Sequence, residues 1–582
     1  MPATKTKKES KSIGLHNKSI LHNLLFVILM IFTFTMSSTI SSISSAAGIS
    51  GANTGEDSSG FKFNMTYIHF NDKNSYLKYV ENTKDSINEV SPNYLSLKYD
   101  GTLQISSTLD KGFIDEMHKR GIKVVPFLSN NWDRTLGRFA MGKRYKLSEQ
   151  IAEAIEKYNL DGVNIDIEDL TEKDRDRHTD FIRMLRKKIP ADKVIAVSVA
   201  SNPKGITTGW HGSYDYEGLA EYCDYLMIMT YDEHYGGGPS GPVASIGFVE
   251  RSIEYALKKV PKEKIVLGIP FYGRMWKNGG GFNGQGVSLK EVSSLIARYG
   301  GRVSFSNAYL SPKAVVTIKS DDDKPYINGK KLEAGTYTIW YENEDSLKHK
   351  LSLVKKYGIK GTGSWSLGQE PSSIWNYYSL WLNGHYYKDV QGHWAQNPII
   401  FALNNGWITT KTVKDSGVFA PDKPLTRAEA AFALVRSLEL DKDRKQESKI
   451  TFSDISNHWA KNEIDIAAQH RIITGRGDGT FGPDDAVSRE EMSVMLDRAI
   501  SGLSGRSTVL ASRGMGSGSN MNISYVDVSR ELCTWSYDSI IKMSQQGIIT
   551  GTPDGKFNPK SKISRAETAA LLFKVRGHSS LE

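Results

Sequence analysis

The sequence predicts an α/β chain, a (β/α)8 TIM barrel followed by a mainly α-helical triple repeat. Three observations carry that prediction. Eight short apolar runs alternate with amphipathic stretches over about 320 residues. Polar residues are concentrated at the ends of the fourth, sixth and eighth runs, where a barrel keeps its chemistry. The C-terminal third aligns with itself in three copies.

The composition narrows the class. The chain has 582 residues, 39% hydrophobic, 10% aromatic and 24% charged, which excludes a mainly disordered chain and a polytopic membrane protein. It has two cysteines, Cys223 and Cys533, too few for a disulfide scaffold or a four-cysteine zinc site. The formal charge is +9, of which residues 1–47 hold +4. The remainder is too diffuse to point to nucleic acid. No histidine cluster has metal-ligand spacing, and no cofactor or metal is expected.

Residues 1–47 read as an export signal. Lys5, Lys7, Lys8, Lys11 and Lys18 precede an apolar run from Leu24 that fades at Met36, and Ser45-Ala46-Ala47 offers a cleavage site. The run is short of the roughly 20 residues that span a bilayer. No membrane span is expected after cleavage, although an uncleaved anchor remains the alternative. A polar linker, residues 48–60, follows.

The barrel is expected over 61–383. Its strand candidates are Phe63–Phe70, Tyr94–Tyr99, Ile122–Leu128, Gly162–Ile167, Val194–Ala200, Tyr225–Thr230, Ile265–Ile269 and Gly361–Ser366. Ser148–Tyr158, Asp174–Lys188 and Gly247–Lys259 have helical periodicity. No Gly-rich phosphate loop follows the first strand, which argues against a doubly wound open sheet. A β-rich insertion, Val303–Tyr337, is expected to wall a cleft.

The fourth strand reads Asp161-Gly162-Val163-Asn164-Ile165-Asp166-Ile167-Glu168. Side chains alternate along a strand, so Asn164, Asp166 and Glu168 share one face and Val163, Ile165 and Ile167 the other. Buried polar groups in a row need partners or a reaction. Two neighbouring carboxyls resist ionising together, which can keep Glu168 protonated as a general acid requires.

These residues, with Met229-Thr230-Tyr231-Asp232, Leu267–Arg274 and Trp365, resemble the motifs of glycoside hydrolase family 18. The resemblance covers roughly residues 60–382. It implies retaining, substrate-assisted cleavage through an oxazolinium ion, with an N-acetyl sugar as its own nucleophile. It assigns Glu168 as acid and base, Asp166 as orienter of the acetamide, and Tyr231 as its hydrogen-bond donor. Asp232 and Trp365 would hold the sugar, with Asn164, Met229, Glu233, Tyr272 and Arg274 as further substrate contacts. Asn164 stands where many members have Asp. The stretches Met229–Tyr235 and Gly238–Ser245, with Asp161–Leu170 and Gly368-Gln369-Glu370, resemble the spore-cortex and cell-wall branch, whose members cut after GlcNAc in peptidoglycan. His234 is a second rim candidate. Peptidoglycan is thus preferred over chitin. A sugar-binding lectin and a passive surface-layer barrel are the non-enzymatic alternatives; the intact Glu168 argues against the first and the loaded fourth strand against the second.

The three copies are expected at 386–440, 450–500 and 522–577, with a flexible insertion at 501–520. They carry Asp389, Asp454 and Asp527; then Trp394, Trp459 and Trp535; then Arg427, Arg489 and Arg565, at Trp-to-Arg spacings of 33, 30 and 30. The Ser or Thr before each Arg-x-Glu is a helix N-cap. The pattern resembles the S-layer homology module. By that resemblance the arginines meet a carboxylate of secondary cell-wall polysaccharide, and the aspartates and tryptophans complete the sites. The expected location is the bacterial cell wall, outside the cytoplasm.

Overall fold

The computed structural model describes residues 60–69, 73–413, 417–442, 451–502 and 523–576. The export signal, nearly all of the linker and almost all of the 501–520 insertion lie outside the described residues.

Eight parallel strand positions close a ring. The first strand, Phe63–Ile68, pairs with the last, Gly361–Trp365, on one side and with Glu89–Pro92 on the other. The second and third positions are each split, into Glu89–Pro92 and Leu95–Leu97, and into Lys123–Val124 and Phe127–Ser129. The first halves pair with each other, as do the second halves. Phe127–Ser129 then joins the fourth strand, Gly162–Asp166, and the ring continues through Val194–Ala200, Tyr225–Met229 and Ile265–Pro270. The split has a sequence cause. Pro92 and Pro126 sit at or beside the breaks, and proline has no N–H for a ladder. The expected strand at Tyr94–Tyr99 covers only the second half of the second strand and misses Glu89–Pro92. The first expected strand stops at Ile68, and Phe70 lies outside the described residues.

The strand faces divide as alternation requires. Val163, Ile165 and Ile167 join the layer between strands and helices. Phe63, Met65, Tyr67, Phe127, Met227 and Val266 fill the barrel interior. Helices Arg144–Lys157, Arg175–Lys188 and Ile246–Leu257 lie near the expected places.

The insertion is larger than Val303–Tyr337. It starts at Tyr272, directly after the seventh strand, and builds a five-stranded antiparallel sheet. Its strands are Tyr272–Lys277, Asn283–Ser288, Arg302–Ser306, Ser311–Ile318 and Gly335–Trp340. A helix, Leu289–Tyr299, is included. Gly273 lets Tyr272–Lys277 lie against its neighbour: a Cβ there would stand 2.6 Å from the Trp340 carbonyl oxygen.

The C-terminal repeats form one body with a cyclic centre. Leu425, Val487 and Ile563 are linked backbone to backbone in a triangle. Leu425 N–H donates to Ile563, Val487 to Leu425 and Ile563 to Val487, at 2.9, 2.9 and 3.0 Å. Each is followed by a capped helix: Arg427–Ser437, Arg489–Gly502 and Arg565–Val575. Thr426, Ser488 and Ser564 accept from the N–H of Glu429, Glu491 and Glu567, and those glutamates bond back, as the sequence predicts. The helix of each repeat packs on the first helix of the next, and the third packs on Gln396–Asn404 of the first. The body is docked on the barrel. The Phe61 ring packs tilted on Phe401 and edge-on to Phe573, and Asn397 Nδ2 donates to the Lys84 carbonyl at 2.7 Å.

Candidate active site

The C-terminal ends of the barrel strands surround a cavity of about 870 Å³. Its size suits a small-molecule or oligomer site. Asp166, Glu168, Met229, Tyr231, Asp232, Glu233, Tyr272, Arg274 and Trp365 all line it. Asn164 does not; it lies below, in the barrel interior.

The floor is built from the first, fourth and fifth strands. Asn164 Nδ2 donates to the Tyr67 hydroxyl at 2.9 Å, Tyr67 faces Ser198 Oγ at 2.7 Å, and Ser198 donates to Asn164 Oδ1 at 3.1 Å. The ring of three uses each group once as donor and once as acceptor. It satisfies the buried polar face that the sequence predicted, with no net charge under Asp166. Asp166 stands above it, 6% exposed, and its Oδ1 is buried with no hydrogen-bond partner. Burial pushes its carboxyl up to about 7, against a smaller opposing pull from Ser198.

Glu168 lies just past the strand end and is 8% exposed. Burial holds its carboxyl well above the usual range, and the negative charges of Asp166, Asp232 and Asp169 add to the effect. Its backbone is clamped. Asn130, from the end of the third strand, donates to the Glu168 carbonyl and accepts from its N–H, both at 2.8 Å. A single asparagine after a strand gives no sequence signal for this role.

The sixth strand ends at Met229, and the chain turns at Asp232 with φ of 59°. Asp232 accepts from Tyr272 Oη and from Nε and Nη2 of Arg274, each at 2.7 Å. The bidentate guanidinium contact fixes the carboxylate plane. Arg274 also donates to the Gly284 carbonyl at 2.8 Å, so the insertion sheet is tied to the sixth strand through this pair. The Tyr231 ring meets Tyr272 edge-on at 6.1 Å, and burial holds its hydroxyl protonated.

Trp365 packs on Tyr67 at 5.1 Å and His69 at 5.2 Å, opposite Glu168 in the ring of strands. Glu233 lines the cavity, yet one of its oxygens accepts the Ser245 N–H at 2.8 Å, at a helix start. His234 is not on the cavity wall; its Nδ1 meets the Pro242 carbonyl at 2.9 Å and shapes the loop. Glu370 is buried and braces Trp375 Nε1 and the Gly368 N–H. Two aromatic residues that sequence reasoning missed, Trp132 and Trp210, pack with tilted rings at 4.9 Å on the third- and fifth-strand side. Among the described residues no group of three or more His, Cys, Asp or Glu could hold a metal.

Each arginine of the repeats reaches into the next copy. Arg427 donates to the Phe481 and Thr474 carbonyls and pairs with Glu491. Arg489 donates to Phe557 and Thr550 and pairs with Glu567. Arg565 closes the circle on Phe419, Thr409 and Glu429, and its side chain is fully buried. These contacts join the three copies. Asp389, Asp454 and Asp527 accept paired backbone N–H groups beginning at Phe419, Phe481 and Phe557, the residues that take those arginines. Trp394, Trp459 and Trp535 stay exposed, at 66%, 45% and 56%. Asp389 plays the same part as the other two, although the first copy lacks the full Asp-Gly-x-Phe turn.

A parallel eight-strand ring with a buried carboxyl pair at its fourth strand and a tryptophan at its eighth defines a carbohydrate-active barrel of one class. The chain belongs to glycosyl hydrolases family 18, which its residues 60–370 match. Residues 386–431, 451–493 and 524–569 match the S-layer homology domain. The chain is similar to the uncharacterized glycosylase YvbX of Bacillus subtilis, 30% identical over 232 residues, covering 40% of this chain and 64% of that one. It is 27% identical over 227 residues to a cortical fragment-lytic enzyme of Bacillus anthracis, covering 38% and 50%. Among solved structures, a chitinase from Chromobacterium violaceum is 25% identical, covers 55% of this chain and 99% of that one, and superposes with a TM-score of 0.49. The chain spans about half to two thirds of the length of these curated relatives.

Proposed function

We propose that this protein is a surface-anchored glycosidase that cleaves β-1,4 bonds after N-acetylglucosamine in peptidoglycan. The observation that carries it is the Asp166–Glu168 pair. Both carboxyls are buried at a cavity wall, Asp166 on the fourth strand and Glu168 just past its end, and one oxygen of Asp166 is unpartnered. A raised Glu168 can be a general acid near neutral pH. A lone Asp166 oxygen can accept the N–H of an acetamide.

The reaction is retaining and substrate-assisted. Glu168 gives its proton to the glycosidic oxygen as the acetamido oxygen attacks the anomeric carbon. The bond to the leaving sugar breaks and an oxazolinium forms. Asp166 accepts the acetamide N–H and offsets the positive charge. Tyr231 donates to the acetamido oxygen and Asp232 holds the sugar, with Trp365 beneath its apolar face. Water then attacks the anomeric carbon, Glu168 takes its proton, and the ring opens with configuration retained.

The repeats support attachment to secondary cell-wall polysaccharide, and residues 1–47 support export. Among the described residues no helix is long and apolar enough to cross a membrane. On this reading the exposed Trp394, Trp459 and Trp535 meet the polysaccharide, while the arginines shape the sites. The test is product analysis with the full chain and Glu168→Gln on purified peptidoglycan and on chitin. Muropeptides with a reducing N-acetylglucosamine end, absent with the variant, are the expected result. Chitobiose from chitin with peptidoglycan untouched would make it a chitinase. No product from either would return it to a sugar-binding or structural role.

A further inference from the structure

We infer that Lys204 and Arg251 form a cationic edge of the cleft that receives a carboxylate borne by the sugar on the leaving-group side of the scissile bond. The inference rests on the proposed function and adds the feature that separates acidic glycan from neutral chitin.

Both residues line the cavity and both are exposed. The third guanidinium or ammonium on that wall, Arg274, is committed to Asp232. Lys204 and Arg251 make no ion pair or hydrogen bond among the described residues. The elements that carry them are in contact. Lys204 is on the loop that leaves the fifth strand, and Arg251 is on helix Ile246–Leu257, which follows the sixth. The Ser201 and Ser252 hydroxyls bond to each other and tie that loop to that helix. A side chain at Gly205 would touch the Tyr255 ring at 3.6 Å. Two like charges on one wall repel unless an anion lies between or beside them.

Their side of the ring sets what they meet. Trp365 and Glu168 come from the eighth and fourth strands, at opposite points of the ring. A sugar resting on Trp365 whose bond is protonated by Glu168 leaves its neighbour toward the fourth to sixth strands. That side holds Trp132, Trp210, Ile206, Lys204 and Arg251. Cleavage after N-acetylglucosamine puts the muramyl residue there. That residue carries a lactyl carboxylate or the carboxylates of its peptide stem; chitin carries neither.

The test compares kcat/KM of the full chain on glycan strands with and without their peptide stems, each beside the same strands with carboxyls converted to amides. The unmodified strands are expected to be preferred about tenfold, as charge-assisted contacts imply. Lys204→Glu with Arg251→Glu should abolish that preference, and so should about 0.5 M salt on the unmutated protein, since it screens exposed charges. A preference seen only on strands that keep their stems would assign the stem carboxylate, and one on bare strands the lactyl group. A protein that cleaves both strand types, with a ratio unmoved by the variant and by salt, overturns the inference and leaves the proposed function standing. A protein inactive on both overturns the two together.

Discussion

The decisive residues are two buried carboxyls whose proton affinity the fold raises, Asp166 to about 7 and Glu168 well above the usual range. Glu168→Gln removes the proton donor and should lower kcat on peptidoglycan by about 10³-fold or more, measured by release of reducing ends. Asp166→Asn keeps the shape and loses the charge, and should cost about 10²–10³-fold, in the range found for a lost electrostatic stabiliser. The same burial has a stability consequence. Asp166 and Glu89, the latter buried at the other end of the barrel against the Tyr225 hydroxyl, are both pushed up to about 7. Between the ordinary carboxyl range and pH 7 the folded chain holds more protons than the unfolded one. Stability should therefore fall as pH rises through that window. Glu89→Gln should flatten that slope in a pH series of thermal midpoints without touching the cleft; an unchanged slope would mean that Glu89 is not a contributor.

At the scale of elements, the insertion sheet aims Tyr272 and Arg274 rather than merely walling the cleft. Its first strand continues the seventh barrel strand, and Gly273 permits the close approach to Trp340. Gly273→Ala should overpack this contact, cost about 1–3 kcal/mol, and raise KM as the Asp232 pair shifts. Steady-state kinetics with thermal melts would separate the two effects. Arg274→Ala leaves Asp232 without its bidentate partner, and should raise KM by roughly tenfold on soluble glycan fragments, the scale of one charge-assisted contact. A variant with wild-type KM would show that Asp232 needs no support.

At the scale of the whole molecule, the three repeats are one closed ring of arginines rather than a string. Arg565 is fully buried, and its removal strands Glu429 without its guanidinium. Arg565→Ala should cost about 3–5 kcal/mol, as breaking a buried pair does. Arg427→Ala should cost less, because its side chain and Glu491 are 15% and 31% exposed. Denaturant midpoints of the full chain, read beside wall binding, test this. Loss of binding in proportion to stability is the expected outcome, because the arginines join the copies. Loss of binding with unchanged stability would make them direct contacts.

Much of this protein is legible in its residues alone. Alternation in Val163–Glu168 fixes which side chains face the barrel, because a strand has a period of two whatever surrounds it. The triplicated Ser/Thr-Arg-x-Glu fixes three helix starts, because capping is local. What depends on distant contacts could not be read there. The second strand begins at Glu89 because that segment finds Lys123, and the clamp on Glu168 comes from Asn130, 38 residues away. Arg565 looks like its two counterparts in sequence, yet it lies 136 residues from Glu429 and meets it only when the ring closes. Periodicity and capping are short-range and survive in a linear string; partners, burial and charge are decided by closure of the barrel and of the repeat ring.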